Sequence, residues 1–159
     1  MRAIPRGAGA LSGTVLSLVA AGALGAAAGT GGFTFIYAKG ASYLGHDAAS
    51  CANCHIMEEQ YGAWLKGSHH DAAVCNDCHT PVNPLGKYAV KGLNGFRHSL
   101  AFTTGWFHEP IQITALNRSV AEGNCRECHA DMVGRVAGPH GEGETISCIR
   151  CHESVGHLQ

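Results

Sequence analysis

The feature that most constrains this chain is one pentapeptide written four times. All eight cysteines belong to it: Cys51-Ala-Asn-Cys54-His55, Cys75-Asn-Asp-Cys78-His79, Cys125-Arg-Glu-Cys128-His129 and Cys148-Ile-Arg-Cys151-His152. C-x-x-C-H is the attachment sequence for c-type haem. The two thiols add to the porphyrin's vinyl groups, the two-residue gap spans the distance between them, and the next His is placed to ligate the iron. Two other chemistries use paired cysteines. Separations of 20 residues between Cys54 and Cys75, and of 19 between Cys128 and Cys148, fit a zinc ribbon. An oxidising compartment would favour disulfides. Neither requires a histidine after every pair. With 11 histidines in 159 residues, composition alone gives four out of four with a probability on the order of 10⁻⁵. The spacing therefore points to four covalently bound haems c.

Composition agrees. Net charge is −1, with no basic excess for nucleic acid. Aromatic residues are 7% of the chain, thin for a protein that must pack its own core. Porphyrins would replace that core, and the 22 glycines let backbone pass close to their faces.

From Gly7 to Ala38 there are 32 residues without a charge, between Arg2 and Arg6 on one side and Lys39 on the other. That exceeds the roughly 20 apolar residues a membrane-spanning helix needs. A cleaved secretion signal is the competing reading, since Ala26-Ala27-Ala28 offers small residues after a short apolar stretch. Either way the rest of the chain is exported, and the two arginines hold the N-terminus in the cytoplasm. The expected organisation is a cytoplasmic tip and transmembrane anchor over 1–38, then a periplasmic tetrahaem domain over 39–159, placed at the inner membrane. The fold class is mainly α with much irregular structure: one transmembrane helix plus a small domain packed around its haems. Asn83-Pro84 reads as an N-cap followed by proline at the first helical position. In the helix that follows, Leu85, Ala89, Leu93, Phe96 and Leu100 share one face, and Lys87, Lys91, Asn94 and His98 another. The stretch 138–143 is a loop by composition.

Each iron takes a second axial ligand, and seven histidines lie outside the motifs: His46, His69, His70, His98, His108, His140 and His157. His70 and His157 are tethered too closely to their nearest motifs to cross those haems, but each can reach a neighbour. Met57 follows the first motif at one residue's remove, and a thioether raises haem potential relative to imidazole.

These residues resemble the NapC/NirT family of membrane-bound multihaem quinol dehydrogenases. A single N-terminal anchor, C-x-x-C-H-x-M at the first motif and four motifs in a short chain carry the resemblance, which runs from Arg6 to His157. It implies oxidation of membrane quinol, with menaquinol as substrate, and delivery of electrons to a periplasmic reductase. The chain's shortness within the family favours the catalytic subunit of cytochrome c nitrite reductase as that partner. The resemblance further implies Met57, rather than His55, as proximal ligand of haem 1, and His79, His129 and His152 as proximal ligands of haems 2, 3 and 4. It makes His70 distal to haem 4 and His157 distal to haem 3. Lys91 and His98, seven positions apart, match the pair at the family's quinol pocket, with His98 where relatives carry Asp. His98 then either ligates haem 1 or handles protons. Haem 2 draws its distal ligand from His46, His69, His108 or His140, from another subunit, or keeps an open site.

The spacing of Lys91 and His98 puts both on one helical face. An imidazole suits proton transfer near neutral pH, and a lysine suits orienting a quinol oxygen or stabilising its anion. The alternative for this helix is an amphipathic segment resting on lipid headgroups. The rival for the whole chain is a multihaem shuttle, soluble or anchored, serving another periplasmic oxidoreductase. All four motifs are ordinary C-x-x-C-H, without a lysine-bearing variant, so the chain carries no nitrite-reducing signature of its own.

Overall fold

Nothing interrupts the uncharged N-terminal run, and it forms one helix, α1 (Gly7–Tyr37). The computed structural model describes residues 7–137 and 147–157. The chain divides into two compact units, Met1–Ala41 and Ser42–Gln159. In the first, Gly13–Tyr37 is the one stretch among the described residues long and apolar enough to cross a membrane. Its 25 residues rise about 37 Å at about 1.5 Å each, against a hydrocarbon thickness of about 30 Å. Leu16, Leu24 and Ile36 all stay more than two-thirds exposed, so over Gly13–Tyr37 the helix is apolar all round and none of its apolar window is buried.

The second unit has no strand among its described residues. Short 3₁₀ turns at Gly40–Leu44, Ala48–Asn53 and His55–Met57 lead into α2 (Glu58–Leu65), α3 (Cys75–His79), α4 (Pro84–Thr104), α5 (Ala115–Cys128), α6 (Ala130–Ala137) and α7 (Cys148–Cys151). Asn83 caps α4 as its sequence implies, its side-chain oxygen accepting from Gly86 N at 2.6 Å with Pro84 at the first helical position. The helix ends at Gly105, whose φ of 70° is left-handed. The loop expected at 138–143 lies outside the described residues.

This unit has almost no apolar core of its own. Among the described residues the buried apolar side chains are Ala48, Val90 and Ala121, and no large side chain is fully buried. Polar ties do the positioning. Asn124 of α5 is buried and donates to the carbonyls of Cys78 (3.1 Å) and Thr80 (2.9 Å), fixing α5 to the end of α3. Asn94 and Asn117 exchange amide hydrogen bonds of 3.1 and 3.2 Å between α4 and α5. Trp64 Nε1 donates to Ala73 O at 3.0 Å, closing the loop between α2 and α3. Helix α4 is packed in reverse of the usual sense: Lys87, Lys91 and Asn94 are half-buried, while Leu85 is 85% and Phe96 67% exposed.

Candidate functional site

Three of the four pentapeptides adopt one local structure. Cys75–His79 is itself α3, Cys125 to Cys128 ends α5, and Cys148–Cys151 is α7. In the last two the histidine N–H closes the turn on the first cysteine's carbonyl, at 3.0 Å for His129 and 2.9 Å for His152. Side chains cap these turns: Asp77 accepts from Val74 N (2.9 Å), and Ser147 accepts from Arg150 N. Glu122 of α5 reaches across to α7, accepting from Ser147 Oγ, Cys148 N (2.9 Å) and Ile149 N (3.2 Å). Burial pushes the Glu122 pKa up, but the hydrogen bonds from Ser147, Cys148 and Ile149 outweigh it and hold the carboxyl below its usual value. One carboxylate thus locks the fourth motif onto the third.

The first motif is built differently. Its cysteines lie in 3₁₀ turns broken at Cys54, whose φ of −93° and ψ of 113° are extended. The next bond runs from Met57 N to Cys54 O at 2.9 Å. His55 is left exposed and Met57 half-buried. Lys91 of α4 donates from Nζ to Tyr43 O (2.9 Å) and Gly45 O (2.8 Å), holding the approach to this motif. Burial, then the nearby Lys87 ammonium, pushes the Lys91 pKa down, and Cys51 opposes them. His98 stands two turns further along α4, exposed, with partial desolvation pushing its pKa down.

The motifs adjoin one another in chain order. Cys75 hydrogen-bonds to Cys51, which lowers the Cys51 pKa to about 7 and raises that of Cys75. Cys78 lies within electrostatic reach of Cys125 and Cys128, and Cys125 of Cys148.

Histidines meet in two pairs. The rings of His79 and His157 are 6.0 Å apart at 32°, and those of His69 and His129 are 6.1 Å apart at 75°. Two imidazoles on opposite sides of one metal, each bonded at about 2.0 Å, have centres about 6 Å apart. His157 Nδ1 donates to Gln60 O at 3.1 Å, which leaves Nε2 free for a metal. Burial and the adjacent His157 push the His79 pKa down, which favours the neutral ring. His69 Nδ1 is 3.2 Å from Ser68 Oγ. His70 packs edge-on to Trp64 at 4.8 Å, with Nδ1 3.1 Å from the Asp71 carboxylate. The structure therefore brings the ring of His157 beside that of His79. His46 is engaged by Lys87 Nζ, His108 borders a recess of about 220 Å³ with Trp106 and Phe107, and His140 lies outside the described residues.

These features fit covalent haem. The eight cysteines are unpaired thiols, two imidazole pairs stand at metal-spanning distance, and the unit lacks a core that side chains could fill. Among the described residues no three His, Cys, Asp or Glu side chains converge as a zinc ribbon would require.

Residues 12–159 match the sequence profile of the NapC/NirT cytochrome c family, N-terminal region. The chain belongs to that family. As a cytochrome c family member it binds haem covalently. It is 33% identical over 138 residues to cytochrome c-type protein NrfH of Wolinella succinogenes, covering 77% of each chain. It also resembles a chain in the crystal structure of the cytochrome c nitrite reductase NrfHA complex bound to the HQNO inhibitor. There the TM-score is 0.58 and the identity 28%, over 94% of this chain and 90% of that one. Glu122 and Asn124 were missed in the sequence, where they are ordinary helix residues. Ser147, directly before Cys148, was the readable cap.

Proposed function

We propose that this protein is a membrane-anchored tetrahaem cytochrome c that oxidises menaquinol and passes electrons to a periplasmic reductase, the catalytic subunit of a cytochrome c nitrite reductase. The observation that carries the reading is the set of four adjoining C-x-x-C-H turns in a chain that aligns with NrfH over most of its length. The NrfHA complex supplies the partner by likeness. Residues 1–38 form the cytoplasmic tip and anchor, and 39–159 the periplasmic domain, with α1 as the span.

The eight cysteines attach four haems. Met57 is proximal at the first, supported by its half-buried place beside an exposed His55. His79, His129 and His152 are proximal at the others. The ring spacings favour His157 as the partner of His79 and His69 as the partner of His129. This departs from the pairing in which His157 serves the third haem. His70, one residue on from His69, remains the candidate for the fourth.

Bound haem supplies one-electron chemistry. The chain's own residues must then bind the quinol and receive its two protons. Lys91 keeps one N–H beyond its two carbonyl bonds to orient a quinol oxygen or stabilise its anion. His98, on the same helix and open to solvent, accepts a proton.

The test is direct. Detergent-purified protein should give four haems per chain in the pyridine haemochrome assay, be reduced by a menaquinol analogue, and sustain nitrite reduction when the catalytic subunit is added. Haems that dithionite reduces and menaquinol does not would refute the quinol reading. Quinol oxidation without nitrite reduction would leave the shuttle that serves another oxidoreductase.

A further inference from the structure

Helix α4 turns its apolar side away from the unit it belongs to. On the inner side Lys91 Nζ bonds to the carbonyls of Tyr43 and Gly45, Asn94 exchanges amide bonds with Asn117, and Val90 is buried. At about 100° per residue, the stripe of Leu85, Ala89, Leu93, Phe96 and Leu100 stands opposite them, and every residue on it is exposed. Lys91 and Asn94 bond to the segments that lead into the first and third motifs, so the stripe faces away from those motifs. The apolar run continues past the helix. Gly105 turns the chain, Trp106 N bonds back to Ala101 O at 2.9 Å, and Trp106 is 88% exposed. Phe102 and Phe107 pack ring to ring at 4.6 Å, and Ile111 and Ile113 follow, both exposed. From Ser99 to Asn117 the only Asp, Glu, Lys or Arg is Glu109. Monomeric soluble proteins rarely expose such a run, and it marks a contact with protein or with membrane.

Two observations choose membrane. Only Ala38, Lys39, Gly40 and Ala41 separate the end of α1 from the second unit. That tether is at most about 17 Å of chain, so the unit stays beside whatever bilayer α1 crosses. The residues on and around the stripe are also those of a membrane boundary. Trp106 joins an apolar ring to a single N–H, and Tyr88 and Arg97, exposed on the two flanks of the stripe, suit the headgroup layer. We propose that the outward stripe of α4 and the segment 106–113 form a second membrane contact, lying flat in the periplasmic boundary of the bilayer. The leucines and aromatic rings enter the upper acyl chains, and Arg97 meets the lipid phosphates. Lipid then covers an apolar side that no side chain of the unit covers. The inference rests on the reading of α1 as a membrane span, and needs neither quinol oxidation nor a reductase.

Full-length, haem-loaded protein is reconstituted in vesicles of phosphatidylethanolamine and phosphatidylglycerol. The photoreactive p-benzoylphenylalanine replaces, one at a time, Leu16 of α1, Phe96, Trp106, and Lys66, an exposed residue at the end of α2. After illumination the adducts are identified by mass spectrometry, with and without the catalytic subunit of the reductase. The probes at Phe96 and Trp106 should carry lipid, as the one at Leu16 does, at least about tenfold more than the probe at Lys66. They should keep it when the catalytic subunit is bound, with haem content as in wild type. The probe is itself apolar, and Lys66 shows what its ring alone captures. Lipid at Leu16, with no more at Phe96 and Trp106 than at Lys66, overturns the proposal. So does cross-linking of those two positions to a second copy of the chain, or to the catalytic subunit, in place of lipid. No lipid at Leu16 overturns the reading of α1 as the span, and this inference with it.

Discussion

The first C-x-x-C-H and the other three are the same five-residue pattern held in two ways. Motifs two to four lie on helical turns, and for the last two the histidine N–H closes on the first cysteine's carbonyl. They are fixed by fully engaged neutral or anionic groups: Asn124 on the end of α3, Glu122 on the start of α7. The first motif breaks at Cys54, and its approach is clasped by lysine ammoniums that could exchange their partners. Rigid turns suit sites that only relay electrons between fixed irons. A looser, cationic setting suits a site that must also admit a substrate and release protons.

The comparison breaks most sharply at the histidines. His129→Leu should remove the third haem's share of the low-spin signal seen by electron paramagnetic resonance. His55→Leu should leave that spectrum as in wild type, and Met57→Leu should change it at the first haem. Identical effects of the His55 and His129 substitutions would erase the distinction. Next in size is Glu122→Ala, which strips the start of α7 of its acceptor and should cost roughly 3 kcal/mol in guanidinium unfolding. The Glu122 carboxyl titrates below its usual value in the folded chain, so its stabilisation is present above the unfolded pKa and is lost as pH falls through the folded one. Wild type should therefore lose its advantage over Glu122→Gln on the acid side, and the two should converge there. Asn124→Ala should cost roughly 2 kcal/mol, because it leaves two inner carbonyls unpaired. Its counterpart at the first motif, Asn53→Ala, loses an exposed 2.9 Å bond to Ser42 Oγ and should cost only about 0.5 kcal/mol. Equal losses at Asn53 and Asn124 would mean the first motif is held as tightly as the rest.

What the sequence made legible was covalent and local. The four motifs are each written within five residues and go with membership of a cytochrome c family, and the uncharged helix and the Asn83-Pro84 cap form as read. The histidine pairings are tertiary, and tethering arguments could say only which motif His157 does not serve. The face of α4 was also opaque. Periodicity separates Leu85 and Phe96 from Lys87 and Lys91, but it cannot say that the lysine side packs inward, because that depends on carbonyls at Tyr43 and Gly45 more than forty residues away. Glu122 carried no signal at all, since its partners are backbone amides 26 and 27 residues further on.

The bond from His157 to Gln60 closes a span of 97 residues. The second imidazole beside α3 is therefore delivered by a segment distant in sequence, and only folding of the second unit brings it there. Until that contact forms the Cys75–His79 turn has only its own histidine, so loss of the His157–Gln60 bond would be felt first beside the second motif.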